Sequence, residues 1–221
     1  MQFNPLDPSQ EVIMQASTTI RNGGIVLYPS DTIYGLGCDP FNQKALSQLF
    51  QIKGRSITKG VLILVNNLDS IKVISDDIPK VFHEFIEEVW PGPVTCLLKA
   101  CQQLPEHIVG AHGKIGVRYP NLPFLWRWME AIPGPIVSTS ANRSGHPEPQ
   151  SMSDLRQLFL NRVDLFLESE REQFSTTAST VVDCTQKPLE IVRRGAAVEQ
   201  VESFLEKSGM LVSDFLVKRR L

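Results

Sequence analysis

The chain carries no excess of charge of either sign. Its 22 Lys and Arg residues stand against 24 Asp and Glu, a formal net charge of −2. Nothing in that balance announces a nucleic-acid or membrane-surface protein, so any anion site must be a local cluster of Lys and Arg. No apolar run approaches the length needed to span a bilayer. The opening residues, MQFNPLDPSQ, have neither the basic region nor the apolar stretch of a signal peptide, so the chain reads as cytoplasmic. Cysteine is scarce: Cys38, Cys96, Cys101 and Cys184 are scattered without a CxxC pair, the pattern of free thiols buried as small hydrophobes. Histidine is equally thin. His107 and His112 lie five apart with no HExxH spacing, so no metal held by protein side chains is expected.

The familiar phosphate cradles are also missing. There is no GxxxxGK[ST], and Gly35-Leu36-Gly37-Cys38-Asp39-Pro40 fails the dinucleotide fingerprint at its third glycine. No GxSxG elbow suggests a hydrolase. A nucleotide, if one binds, must be held by side chains on an open face.

What is present reads as one domain over 1–221, large enough to bury roughly 70% of its unfolded surface without a disulfide or metal staple. Ser9 caps a helix to about Arg21, and Asn42 caps another that ends at Lys53-Gly54-Arg55. Further helices are expected from Pro79 to Val89, from Asn121 and Pro123 onward, from Ser153 to Leu160 and from Val198 to Lys207. Strands are expected at Ile25–Tyr28, Tyr34–Cys38, Val94–Leu98, Ile115–Tyr119, Ile136–Ser138, Val163–Leu167, Thr180–Asp183 and Leu189–Val192. Val61 to Val65 is uniformly apolar, as for a strand covered on both faces. Several strands are joined too briefly for a parallel crossover, which predicts an α/β fold with a mixed parallel and antiparallel sheet. The polar segment 168–177 reads as a mobile loop, and 217–221 as a basic tail.

Strand Ile25–Tyr28 stops in Pro29-Ser30-Asp31-Thr32, a cluster of short hydrogen-bonding side chains, before Gly35-Leu36-Gly37 lets backbone approach backbone or a ligand closely. Similar polar ends recur at Lys53-Gly54-Arg55 with Lys59, at Arg118, at Ser138, Ser140 and Asn142, at Ser179-Thr180 and at Arg193-Arg194. Guanidinium forks and ammonium groups in such places suit phosphate or carboxylate. Taken singly, Lys53 and Arg55 fit equally a helix C-terminus, and Ser138 to Asn142 a capped turn. Arg118 is different, because a charge in an apolar strand needs a partner or a ligand. His146 and Glu148 read as loop surface.

Six segments in order carry a resemblance: Tyr28 to Gly37, Lys53-Gly54-Arg55, Trp90-Pro91-Gly92-Pro93-Val94-Thr95, Val117-Arg118-Tyr119-Pro120, Ser138 to Gly145, and Ser179 to Asp183 leading to Val192-Arg193. Together they resemble the YrdC-like family of threonylcarbamoyl-AMP synthases over about residues 10–200, with the last helix and tail beyond. The family's longer members append a second domain for which this chain is too short. Departures include Ser30 in place of threonine and Leu64 at a position that is histidine in some members.

The resemblance implies a twisted sheet with flanking helices and a concave basic cavity. There L-threonine, bicarbonate or CO2 and ATP give threonylcarbamoyl-AMP and pyrophosphate, with Mg2+ carried by the ATP phosphates. A downstream threonylcarbamoyl-transferase machinery would then modify adenosine 37 of tRNA. Mapped onto this sequence, the resemblance implies Lys53, Arg55, Ser140 and Asn142 as catalytic. It implies Thr32, Arg118, Ser138 and Ser179 as threonine contacts, and Arg55, Lys59, Lys114, Ser140, Asn142 and Arg193 as ATP contacts. Two rivals remain: a noncatalytic module binding double-stranded RNA or tRNA through the same cations, and a different carbamoyl- or nucleotidyl-transferring enzyme.

Overall fold

In the computed structural model, which describes residues 1–54, 61–132, 134–170 and 177–210, the chain opens with a short strand, β1 (Gln2–Phe3). Ser9 then caps α1 (Gln10–Arg21), its hydroxyl accepting from the Val12 N–H at 3.4 Å. Two strands follow, β2 (Val26–Tyr28) and β3 (Gly35–Cys38). Asn42 caps α2 (Gln43–Lys53), and Gly54 ends it at φ 59°, a left-handed position that suits a residue without Cβ. Next come β4 (Leu62–Leu64), α3 (Lys80–Val89), β5 (Val94–Lys99) and β6 (Lys114–Arg118). α4 (Pro123–Glu130) begins with its proline, where the missing N–H would have had no helical partner. β7 (Ile136–Ser140), α5 (Met152–Phe159), β8 (Leu165–Phe166), β9 (Glu168–Ser169), β10 (Thr180–Asp183), β11 (Glu190–Arg193) and α6 (Val198–Lys207) complete the order. No described helix is long and apolar enough to cross a membrane.

Among the described residues, nine strands form one sheet in the order β11-β10-β5-β6-β4-β7-β3-β2-β8, while β1 pairs with β9. β10 with β5, β4 with β6 and β2 with β8 are parallel, and the remaining neighbours in that sheet are antiparallel. The sheet is mixed, as the short connections require.

Strand alternation sorts the core into two layers. Leu27, Leu36, Ile63, Cys96, Val117, Val137 and Val182 face α2, α3, α5 and α6 in one cluster. Val26, Tyr28, Leu64 and Ile136 face α1 and α4 in the other. Four helices therefore cover one face, while two cover only part of the opposite one. The four cysteines are all buried and unpaired, and burial pushes the Cys38 thiol up to about 12.

Several local expectations are corrected. Ser151, not Ser153, caps α5. Its hydroxyl accepts from the Asp154 N–H at 3.1 Å and donates to the Asp154 carboxylate at 2.8 Å, a reciprocal arrangement set by the three-residue spacing. β7 runs on to Ser140 because β3 continues to pair with it, Gly35 opposite Ser140. Glu168 and Ser169 belong to a strand rather than a loop, with the Glu168 N–H donating to Met1 O at 2.8 Å. The rest of that expected loop, 171–176, and the tail 217–221 lie outside the described residues. β4 is buried at Ile63 on one face and Leu64 on the other, so two-sided cover holds there, while Leu62 is only partly covered and borders the hollow.

Candidate active site

The uneven helix cover leaves a cavity of ≈ 500 Å³ on the thinly covered face. Its floor is a row of residues opposite one another across five strands: Ser138, Leu62, Gly116, Leu97 and Asp183. Thr32, Lys114, Arg118, Ser140, Ser179 and Arg193 line the same hollow. Residues from distant parts of the chain thus converge on one volume, of the size usual for small-molecule pockets.

At one end Arg118 is only 4% exposed. Its Nε donates to Gly92 O at 3.1 Å, its Nη1 to Thr32 Oγ1 at 2.9 Å, and its Nη2 pairs with Asp31 at 2.5 Å. The second Asp31 oxygen accepts from the Asn121 N–H at 2.9 Å. Ser30 braces the turn: its hydroxyl donates to Ile33 O at 2.6 Å and accepts from the Thr32 N–H at 3.1 Å. The buried charge therefore has the partner its strand position demands. Beside it the Tyr28 hydroxyl donates to Ser138 Oγ at 2.6 Å, and burial pushes the phenol above its usual range. The Tyr28 ring lies over Gly35 and Gly37, where an added Cβ would come within 2.8 and 2.9 Å of ring carbons. The close approach expected at these glycines is thus to an aromatic ring of the same sheet.

At a second point Lys53, 3% exposed, reaches back from the last turn of α2. Its ammonium donates to Ser140 O, and to Asn142 Oδ1 at 3.0 Å. The Ser140 hydroxyl donates to the same Asn142 oxygen at 2.7 Å. The Lys53 carbonyl accepts from the Ser144 N–H at 2.9 Å, and Asn142 Nδ2 donates to His146 O at 2.7 Å. Ser140 lines the cavity, whereas Lys53 and Asn142 are not part of its lining and meet it through Ser140.

The same loop brings in a residue that the sequence reading had placed on the surface. Glu148 is half-buried, and Lys53, Ser140 and Arg193 are near enough to act on its carboxyl. Burial pushes its carboxyl up against the pull of those three neighbours. His146 is exposed, as expected.

Arg193, on the edge strand, donates through Nη2 to Ser179 O at 2.8 Å and to Ser179 Oγ at 3.1 Å. Although Arg193 keeps an exposed surface, partial desolvation beside the hollow draws its guanidinium below the ordinary value, with Glu148 opposing that shift. Ser179 Oγ also lies 2.9 Å from Thr95 Oγ1. On the far side Lys114 pairs with Asp183, which also accepts from the Thr185 N–H and hydroxyl at 2.9 and 2.7 Å. Burial alone would raise the Asp183 carboxyl, but these donors outweigh it and hold it below its usual value.

The structure thus brings Thr32, Lys114, Arg118, Ser138, Ser140, Ser179 and Arg193 to one cavity, with Lys53 and Asn142 behind Ser140. Arg55 and Lys59 lie outside the described residues. The hollow is not lined by bare cations, because Asp31, Asp183 and Glu148 each stand against one or more of them. Asp31 and Asp183 both lay within segments that carry the resemblance, but neither was given a role there. Glu148 carried no local signal beyond its place just after the Ser140-x-Asn142 pair.

The family model for Sua5, YciO and YrdC, described as telomere recombination, matches residues 18–195. A threonylcarbamoyl-AMP synthase of Pseudomonas fluorescens is 34% identical over 155 residues, covering 70% of this chain and 83% of that protein. A protein of the same name from Coxiella burnetii is 34% identical over 163 residues, covering 74% and 88%. Among solved structures, E. coli YciO superposes with a TM-score of 0.81 at 25% identity, covering 89% of this chain and 95% of that one. P. abyssi Sua5 complexed with L-threonine gives 0.82 at 27% identity; 91% of this chain is covered, but it spans only 60% of that longer chain.

Proposed function

The chain belongs to the Sua5/YciO/YrdC family, and from that premise we propose that it is an L-threonylcarbamoyladenylate synthase, making threonylcarbamoyl-AMP and pyrophosphate from L-threonine, bicarbonate or CO2, and ATP. The observation that carries the reading is the sharing of one ≈ 500 Å³ hollow by the Arg118–Thr32 end and the Ser140–Arg193 end. An amino acid and a nucleotide can lie there in contact.

The chemistry asks little of the protein beyond placement. The threonine amine adds to CO2, and a carbamate oxygen attacks the α-phosphorus while the bond to pyrophosphate breaks. Carbamate and triphosphate repel each other, so alignment and charge compensation are the main tasks. Nη1 and Nη2 of Arg118 each keep a second N–H beyond those given to Thr32 and Asp31, and this pair suits the threonine carboxylate. The hydroxyls of Thr32, Ser138 and Ser179 line the amino-acid side. Arg193 and Ser140 meet the phosphates, with Lys53 and Asn142 fixing Ser140, and Lys114 stands at the far side. Arg55 and Lys59 are assigned to the nucleotide on the resemblance alone. Mg2+ carried by the ATP phosphates would offset part of their charge, with the hydroxyl of Ser140 a hard oxygen near them. The labile product would pass to a separate threonylcarbamoyl-transferring machinery acting on tRNA in the cytoplasm.

The test is to incubate purified protein with labelled bicarbonate, ATP, Mg2+ and one amino acid at a time. Threonine-dependent pyrophosphate release with a labelled adenylate is expected. Label with another amino acid but not threonine, or RNA retention without turnover, would overturn the reading.

A further inference from the structure

The hydroxyls that line the hollow differ in where their hydrogens go. Ser30 gives its own to Ile33 O, and Ser140 gives its own to Asn142 Oδ1. Ser138 Oγ also lines the hollow, and among the described residues it has one partner, the Tyr28 phenol at 2.6 Å. The Tyr28 hydroxyl is fully buried and has Ser138 Oγ as its one partner in turn. A buried O–H with a single acceptor in reach donates to it, because an unmade bond leaves the full desolvation cost of the group standing. Ser138 therefore accepts from the phenol, and its one hydrogen is left for whatever enters the hollow.

Reaching Ser138 takes a clear path across a strand. Tyr28 stands on β2 and Ser138 on β7, with β3 between them: Tyr28 is opposite Gly35, and Ser138 is opposite Gly37. The ring lies across both glycines, where an added Cβ would come 2.8 Å from Cζ and 2.9 Å from Cε1. A side chain at either position would stop the phenol short of β7. Trp128 packs edge-on against the same ring, centroids 5.1 Å apart. The hydroxyl is thus held at one place beside Ser138, and Tyr28 itself is not part of the cavity lining.

Resting on the synthase reading, we infer that Tyr28 is a positioning residue for the amino-acid substrate: by donating to Ser138 it fixes that hydroxyl as a donor toward an oxygen of the bound amino acid. Without the phenol the Ser138 hydroxyl has several staggered settings and nothing to keep its hydrogen turned to the hollow. Linked hydrogen bonds also polarise one another, so a hydroxyl that accepts from a phenol donates more strongly to an anionic oxygen. The nucleotide, met by Ser140 and Arg193, does not depend on this link. The Gly35-Leu36-Gly37 pair of glycines then serves the amino-acid site at one remove, by letting the phenol through.

Calorimetric titration with threonine and, separately, with ATP tests this on wild type, Tyr28→Phe, Ser138→Ala and the double variant. Tyr28→Phe keeps the ring over the glycines and should weaken threonine binding about fivefold, with ATP binding within about twofold of wild type. In steady-state turnover the loss should sit in the KM for threonine, and kcat at saturating threonine should stay within about twofold. Ser138→Ala should bind threonine at least as weakly, and adding Tyr28→Phe to it should change nothing further. Should Ser138→Ala fail to fold because it strands the phenol, the contrast between threonine and ATP in Tyr28→Phe decides. Wild-type threonine affinity in Tyr28→Phe or Ser138→Ala, an equal loss for ATP, a loss carried by kcat alone, or a further fivefold loss on top of Ser138→Ala overturns the inference. The synthase reading then stands if threonine-dependent product still forms. A wild-type protein that binds no threonine, alone or with ATP, overturns both.

Discussion

Arg118 shows how one buried charge is made tolerable and useful. Its Nε, one N–H of Nη1 and one of Nη2 are spent on Gly92, Thr32 and Asp31, and the second N–H of each Nη is the pair proposed for the threonine carboxylate. Asp31 is the partner that makes its burial possible. Asp31→Asn leaves the guanidinium buried without a counter-charge, so the variant should lose about 3–5 kcal/mol of stability in urea unfolding. A loss within about 0.5 kcal/mol, the size expected of an ordinary surface substitution, would show that the pair contributes little. Asp183 makes a different prediction. Its carboxyl is held below the ordinary value in the folded state, so its stabilisation is complete above the unfolded aspartate value of about 3.9 and is lost as pH falls through the lower folded value. Stability measured against pH should therefore drop less steeply for Asp183→Asn than for wild type in that acid window.

At the scale of the elements, the tightest constraint is the packing of the Tyr28 ring over β3. A methyl on Gly35 would meet Tyr28 Cζ at 2.8 Å and its hydroxyl at 3.0 Å. Gly35→Ala should cost about 1–3 kcal/mol, the range for overpacking a close-packed core. Tyr28→Phe should not relieve that cost, since the ring carbon remains, whereas Tyr28→Val should relieve part of it in a double-mutant cycle of unfolding free energies.

Much of this scale was legible in the sequence, because caps and alternation are local. Ser9, Asn42 and the span of α6 follow from spacing alone. Ser151 and Ser153 both precede an apolar stretch, and only the three-residue reach from Ser151 to Asp154 distinguishes them. The extension of β7 to Ser140 depends on pairing with β3, 100 residues away in the chain, which no local pattern reports. The same limit applied to the site. Arg118, Lys114 and Arg193 stood out as cations in unusual places, but their carboxylate neighbours come from elsewhere: Asp31 from the turn after β2, Asp183 from β10, and Glu148 from the loop after β7.

For the whole molecule, function follows from an asymmetry of cover. Among the described residues four helices pack one face of the sheet and two pack the other, so the cavity is sheet surface that none of these helices fills. Gly116 lies at the middle of its floor, where an added Cβ would come 3.3 Å from Thr95 Cγ2, a tight approach that a small shift of that side chain relieves, and 3.6 Å from Leu62 Cα, an ordinary contact. Gly116→Leu should therefore fill the hollow at modest cost to the fold. We expect adenylate formation to fall by about a hundredfold or more, since reacting groups displaced by an ångström already lose that much. A melting temperature close to wild type would accompany it, and unchanged turnover would mean that the substrates lie elsewhere.

Arg118 also fastens together stretches of chain that are otherwise far apart: the turn after Tyr28, the corner at Gly92 and the end of β6. A carboxylate that borrows its remaining donors draws on every one of those attachments. If the threonine carboxylate binds there as proposed, amide exchange should slow around residues 30–33, 90–93 and 118–121 when threonine is added. A bound amino acid would in that way clasp the three stretches on which its own pocket is built.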